Sequence, residues 1–139
     1  MKQKNIWNTP EAPLEMHTDD RGDITDIFYK SNIHHVAVVR SKQGAIRGNH
    51  YHRETTQYML ITKGALEYWH KPLDSEVEAE CILLREGDFV ETPPNEIHAL
   101  NIVEDNEFVV FTTGLRGGQD YESDTFRIDG NIIGTRNGK

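Results

Sequence analysis

"GNHYHRETTQYMLITKG", residues 48–64, decides how this chain is read. His50 and His52 stand two apart, so in an extended strand they share a face and Tyr51 points away. Gln57 falls on the next extended segment, in step with the apolar Met59 and Ile61. An amide on an inner apolar face needs a polar partner, or its burial costs about 1–3 kcal/mol. A second segment, "GDFVETPPNEIHALNI" at 87–102, places His98 in step with Leu100 and Ile102, again a core-facing set. A single inward histidine reads as a satisfied core residue, and an H-x-H pair alone is a weak signal. Three inward histidines and an amide are harder to explain as filler. Imidazole nitrogens suit zinc, iron, nickel, copper or manganese, and an amide oxygen can complete such a shell.

Outward from this stretch, the apolar runs are short and separated by turn signals, a pattern of strands in a sandwich or barrel. "TDDRGD" is a turn, with Gly22 available for a positive φ. Strands are expected at "ITDIFY", "HHVAVVR" and "AIRGNHYH". Two more are joined at "TKG", and "ECILLREGDFVETPP" is a strand, a turn and a short strand ended by two prolines. "IHALNIVEDNEFVVFTTGL" reads as a hairpin about "EDN". These make roughly nine strands, and no stretch holds a clean helical period. The tail, "RIDGNIIGTRNGK", is polar and glycine-rich apart from Ile132 and Ile133. It reads either as a final strand swapped onto a partner or as partly disordered.

The length, 139 residues, indicates one domain, with its core at about 24–115 between an N-terminal arm and a C-terminal tail. The single cysteine, Cys81, rules out an intrachain disulfide and reads as a small strand residue. A net charge of −8 argues against a nucleic-acid surface and against anionic membranes. No stretch has the apolar length of a signal peptide core or a membrane span. The expectation is a soluble, cytoplasmic protein.

With these residues in view, the chain resembles the cupins. The first cupin motif matches at Gly48, His50, His52, Gln57 and Gly64, and the second at Gly87, Pro93, His98 and Asn101. The resemblance implies an all-β, single-domain jelly-roll barrel, often a homodimer. It also implies one divalent metal (zinc, nickel, iron or manganese) on His50, His52, Gln57 and His98. Gln57 stands where glutamate is commoner, which lowers the ligand charge by one. A narrower likeness covers "DDRGDITDIF" and "VRSKQGAIRGNHYH", which are similar to the opening of the nucleotide-sugar cupins. These include dTDP-4-dehydrorhamnose 3,5-epimerases, dTDP-4-keto-6-deoxyglucose ketoisomerases and the cupin domain of a capsular-polysaccharide reductase. In that branch a histidine works as acid or base beside a keto group, often with no metal.

Two leading readings follow. The first is a metal-binding cupin that isomerises or epimerises a sugar or nucleotide sugar. The second is a metal-free ketoisomerase or epimerase with His50 and His52 as acid and base. Protons next to a ketone become removable when the enolate is stabilised, and an unperturbed histidine titrates at about pH 6.5. In both, Arg47 and Arg21 are expected to hold the ligand's diphosphate, because a planar guanidinium binds two oxygens at once. Asp120 and Asp124 are candidates for the aspartate that epimerases pair with their base. A non-catalytic carbohydrate-binding module and a metal-dependent dioxygenase are the remaining classes. His34 and His35, being adjacent, face opposite ways and cannot both join one site. His17 and His70 sit among polar residues and read as exposed.

Overall fold

The short segments present apolar side chains to a shared interior, so each is stable as a strand whose inward face meets another sheet. The computed structural model describes residues 1–114 and 123–134. Among them are twelve strands and no helix: β1 Lys2–Asn5, β2 Met16–Asp19, β3 Gly22–Thr25, β4 His35–Ser41, β5 Ile46–Tyr51, β6 Gln57–Lys63, β7 Ala65–Pro72, β8 Glu80–Arg85, β9 Asp88–Thr92, β10 Glu96–Asn101, β11 Asn106–Thr112 and β12 Phe126–Arg127. They form two five-stranded antiparallel sheets, β1-β9-β6-β11-β4 and β12-β5-β10-β7-β8, with β2 and β3 as a separate ribbon. This is the all-β cupin jelly roll.

The connections correct part of the strand reading. "EDN" joins β10 to β11, but these strands do not pair: β10 lies between β5 and β7, and β11 between β4 and β6. Gly64 likewise carries the chain from β6 in one sheet to β7 in the other. Crossing at each step buries both apolar faces against one another, which a local hairpin would not do. The expected strand at "ITDIFY" starts earlier, as β3, and pairs with β2. Phe28 instead packs its ring on Tyr58 and Phe111, at 5.0 and 4.9 Å between ring centres. In the tail, β12 pairs with β5 of the same chain, Phe126 opposite Tyr51 and Arg127 opposite His50. Residues 135–139 lie outside the described residues.

The sandwich interior has two zones. Met59, Ile61, Leu66, Val90, Leu100, Ile102, Phe108 and Val110 form an apolar core with almost no exposure. Toward one end the inward positions turn polar in register. Across one sheet Thr92, Gln57, Thr112 and His35 are successive partners on β9, β6, β11 and β4. Across the other, His70, His98 and His50 are successive partners on β7, β10 and β5. Residues directly opposite in neighbouring strands share a face, so each sheet contributes one row to a polar belt.

A bulge in β5 shapes that belt. His50 pairs with His98 and Gly48 with Ala99, which leaves Asn49 as an extra residue. Gly48 and Asn49 both have left-handed backbone, with φ of 81° and 65°. In a regular strand Arg47 and His50 would face opposite ways. Through the bulge, Arg47 lies opposite Leu100 and His50 opposite His98, so both turn inward. Glycine is required at 48, because a Cβ there would sit 2.9 Å from the His98 carbonyl oxygen.

Gly48→Ala is therefore expected to cost more stability than Gly44→Ala. Both positions have positive φ, but a Cβ at 44 meets nothing within 4 Å. Both variants pay the left-handed penalty of about 1–2 kcal/mol, and overpacking adds about 1–3 kcal/mol at 48 alone. Urea denaturation of the two variants measures the difference. Equal losses would show that the bulge does not hold the two backbones so close.

Candidate functional site

Three histidines meet where the two motifs cross. His50 lies near the end of β5 with His52 just past it, and His98 lies on the adjacent β10. All three are buried, at 6, 3 and 2 % exposure. Their ring centres stand 5.0 Å (His50–His52), 4.8 Å (His50–His98) and 5.4 Å (His52–His98) apart. One nitrogen from each lies within 4.8 Å of the others.

Backbone oxygens orient two of these rings. His52 Nδ1 is 2.8 Å from the Asp124 carbonyl oxygen, and His98 Nδ1 is 3.2 Å from that of Glu96. A carbonyl oxygen only accepts, so each Nδ1 carries the proton and donates it. In the neutral ring the lone pair is then on Nε2, and both Nε2 atoms are shut off from solvent.

Asp124 holds more than His52. Its carboxylate accepts the backbone N–H groups of Arg53, Glu54 and Thr55 at 2.8, 3.0 and 2.8 Å. Burial alone would raise its pKa, but these hydrogen bonds outweigh burial and hold it below the usual carboxylate range. The side chain expected as partner to a catalytic base thus pins the link between β5 and β6, and reaches the histidines through its carbonyl. Asp120 lies outside the described residues.

A cavity of about 400 Å³ opens between β4 and β5, with His35, Arg47, His50, Gln57 and His98 as its polar lining. Arg47 is held at this cavity: its Nε donates to Ser41 Oγ at 2.7 Å and its Nη2 to the Arg40 carbonyl at 3.1 Å. Gln57, buried at 6 % exposure, faces the histidines from the opposite sheet. His52 belongs to the histidine cluster but not to the cavity lining. Arg21 is also outside that lining: it sits at the β2–β3 turn, bonded to Asp19 at 2.7 Å, with its side chain 84 % exposed. A larger cavity, about 570 Å³, lies under the N-terminal arm against Phe28, Tyr58 and Phe89. None of the clustered histidines lines it, so the candidate site is the smaller cavity, where polar groups converge on an apolar pocket.

Two residues change places relative to the sequence reading. His70 is buried rather than exposed, opposite His98 on β7. Its polar sequence neighbours hid a position set by strand parity with Tyr68 and Leu66. Burial pushes His70 toward its neutral form, and the Glu96 and Glu80 carboxylates only partly offset this. His35, left open by the sequence, is the inward member of its pair, and its parity with Ala37 and Val39 was the available signal. Tyr68 stacks nearly parallel to His98, 6.4 Å between ring centres, and its hydroxyl bonds to Thr92.

Residues 17–126 match the family described as polysaccharide biosynthesis C-terminal domain, and the chain belongs to that family. Over 98 residues it is 26 % identical to UDP-2-acetamido-2,6-beta-L-arabino-hexul-4-ose reductase of Pseudomonas aeruginosa, covering 70 % of this chain. The chain spans about a quarter of that relative's length, 26 %. The 3,4-ketoisomerase QdtA from Thermoanaerobacterium thermosaccharolyticum, solved as a histidine-to-asparagine mutant with TDP-4-keto-6-deoxyglucose, superposes with a TM-score of 0.66 at 18 % identity, over 83 % of each chain. The dTDP-4-dehydrorhamnose 3,5-epimerase from Sulfolobus tokodaii superposes with a TM-score of 0.69 at 17 % identity, over 97 % of this chain and 85 % of that one. These likenesses establish the cupin fold.

The buried His70 gives a pH test. Its folded pKa lies below the unfolded value of about 6.5. The unfolded chain therefore takes up the proton first, and stability falls as pH drops through about 6.5 toward the folded pKa. His70→Gln is expected to flatten the fall in urea midpoint between pH 7 and 5 relative to the unsubstituted chain. An unchanged slope would show that His70 is not held neutral.

Proposed function

We propose that this member of the polysaccharide biosynthesis C-terminal domain family moves a proton on the carbon next to a ketone in a nucleotide-linked keto sugar, as an isomerase or epimerase. His50 is the acid/base group at the cavity, and no metal is required. The observation that carries this reading is the arrangement around His50. It lines a largely apolar cavity with Arg47 on the same face, and beside it are two rings whose Nδ1–H groups are committed to backbone carbonyls. The names of the relatives add support, since they speak of a hexul-4-ose carried on UDP and a 4-keto sugar carried on TDP.

The chemistry follows from the donors and acceptors. His50 removes the proton beside the ketone, the C–H electron pair forms a carbon–carbon double bond, and the ketone oxygen takes the charge. His50 is then an imidazolium, and a neighbouring ring, while it is neutral, favours that charge through a lone pair on a nitrogen within 4.8 Å. Passing the proton of the neighbouring hydroxyl to the former ketone oxygen, and returning the carbon-bound proton to the former ketone carbon, completes an isomerisation. Returning it to the opposite face of the carbon it left completes an epimerisation. Arg47 offers the diphosphate a guanidinium already anchored on Ser41 and the Arg40 carbonyl, a local positive group on a chain of net charge −8.

The same cluster supports a second reading, in which His50, His52 and His98 hold a divalent ion and Gln57 adds an amide oxygen. Metal–nitrogen bonds of ~2.1 Å place ligands ~3.4 Å apart in a tetrahedron, so rings at the 4.8 Å limit reach it by modest rotation. A bound ion would polarise the ketone as a Lewis acid. This ligand set holds no carboxylate, and a shell without an anion gives a cation less attraction, which favours the metal-free reading.

Incubation with TDP-4-keto-6-deoxyglucose, and with a UDP-linked 4-keto sugar, separates the readings by proton NMR. The expected result is turnover that survives chelation, falls at least ~100-fold in His50→Ala, and shows a KM raised about tenfold in Arg47→Ala. Turnover lost to chelator and restored by zinc, nickel, iron or manganese would favour the metal. Binding without turnover would identify a carbohydrate-binding module.

A further inference from the structure

We infer that His35 is a second substrate-contacting residue, a hydrogen-bond donor to the sugar oxygen that becomes negative when His50 takes the neighbouring proton. The inference rests on the proton-transfer reading above.

Three observations place His35 there. First, β4 alternates: Val36 and Val38 face out at 56 and 63 % exposure, so His35, Ala37 and Val39 face in. His35 stands opposite Thr112, which is fully buried, and Thr112 stands opposite Gln57. Second, β4 and β5 are consecutive strands in opposite sheets, joined at residues 42–45. His35 begins β4 and His50 lies near the end of β5, so both are at the end away from that joint. They line one cavity from its two walls. Third, His35 Nδ1 is shut off from solvent and makes no hydrogen bond among the described residues.

The third observation selects the tautomer. A proton on Nδ1 would be a buried donor with no acceptor, a rarer and costlier arrangement than a buried lone pair. The proton is therefore on Nε2, the nitrogen available to an occupant of the cavity. His35 thus offers a donor where His52 and His98, with their Nδ1–H groups taken by carbonyls, offer acceptors. Proton removal needs both kinds of group: a base for the proton and a donor for the oxygen that gains the electron pair. Among the cavity-lining imidazoles His35 is the one whose orientation supplies the donor. No bond to His35 forms or breaks, and its N–H strengthens its hydrogen bond as the ketone oxygen becomes an enolate.

The test is the rate of solvent deuterium exchange into TDP-4-keto-6-deoxyglucose by the full chain and four variants. His35→Phe, which fills the space without a donor, is expected to lower the exchange kcat about 100-fold, with KM and calorimetric affinity for TDP little changed. His35→Ala is expected to lose the same activity and to recover part of it with added imidazole. A residue of merely structural role would not give that rescue. His34→Phe, at the exposed position just before β4, is expected to behave as the unsubstituted chain. Exchange in His35→Phe within threefold of the unsubstituted rate overturns the inference alone. So does a His35→Ala that imidazole does not rescue, and so does loss of TDP binding in both His35 variants, which would mark the residue as structural. An unsubstituted chain that exchanges nothing overturns the proton-transfer reading and this inference with it. Exchange that is normal in the unsubstituted chain and absent from His50→Ala isolates the role of His35 from that of the base.

Discussion

Two backbone carbonyls set the chemistry of this barrel. The oxygens of Asp124 and Glu96 take the Nδ1–H groups of His52 and His98, so each neutral ring carries its lone pair on Nε2. Neither carbonyl titrates, so this orientation holds over the whole pH range in which the rings are neutral. Asp124 links the constraint to the fold. Its carboxylate ties down the three amides after His52, so the tail that carries it sets both the course of the chain and the direction of the imidazole.

The site also depends on an irregularity. Without the extra residue Asn49, Arg47 would face away from His50, and the two side chains would lie on opposite sides of a sheet. The bulge costs two left-handed residues and leaves room for no side chain at 48. The apolar core beneath carries the stability, since its side chains are almost wholly buried. The polar belt is placed at one end of that core, where hydrogen bonds and a cavity replace close packing.

Much of this was legible in the sequence because it follows strand parity. The two histidine motifs, the inward Gln57 and the all-β barrel each rest on side chains two apart sharing a face. The burial of His70 obeys the same rule, but its polar neighbours pointed toward solvent. The sheet pairing was not legible, because a strand's own residues do not say which sheet it joins, and "EDN" looks like a hairpin turn whether or not its strands pair. The inward turn of Arg47 could be reached from its cupin likeness but not from parity, which a bulge inverts. Arg21 shows the converse: its motif matched, yet it lies at an exposed turn on Asp19, outside the cavity lining. Asp124 reads in the sequence as a carboxylate, but its carbonyl is what meets His52, and backbone groups leave no trace in residue type.

The most direct test of the account is the tautomeric state of the histidine rings, read by long-range proton–nitrogen NMR on the full chain labelled with nitrogen-15 histidine, after chelation at pH 7.5. The account expects His52 and His98 as neutral rings protonated at Nδ1, with Nε2 shifts characteristic of an unprotonated nitrogen. Protonation at Nε2 in either ring, or a doubly protonated ring, would contradict it.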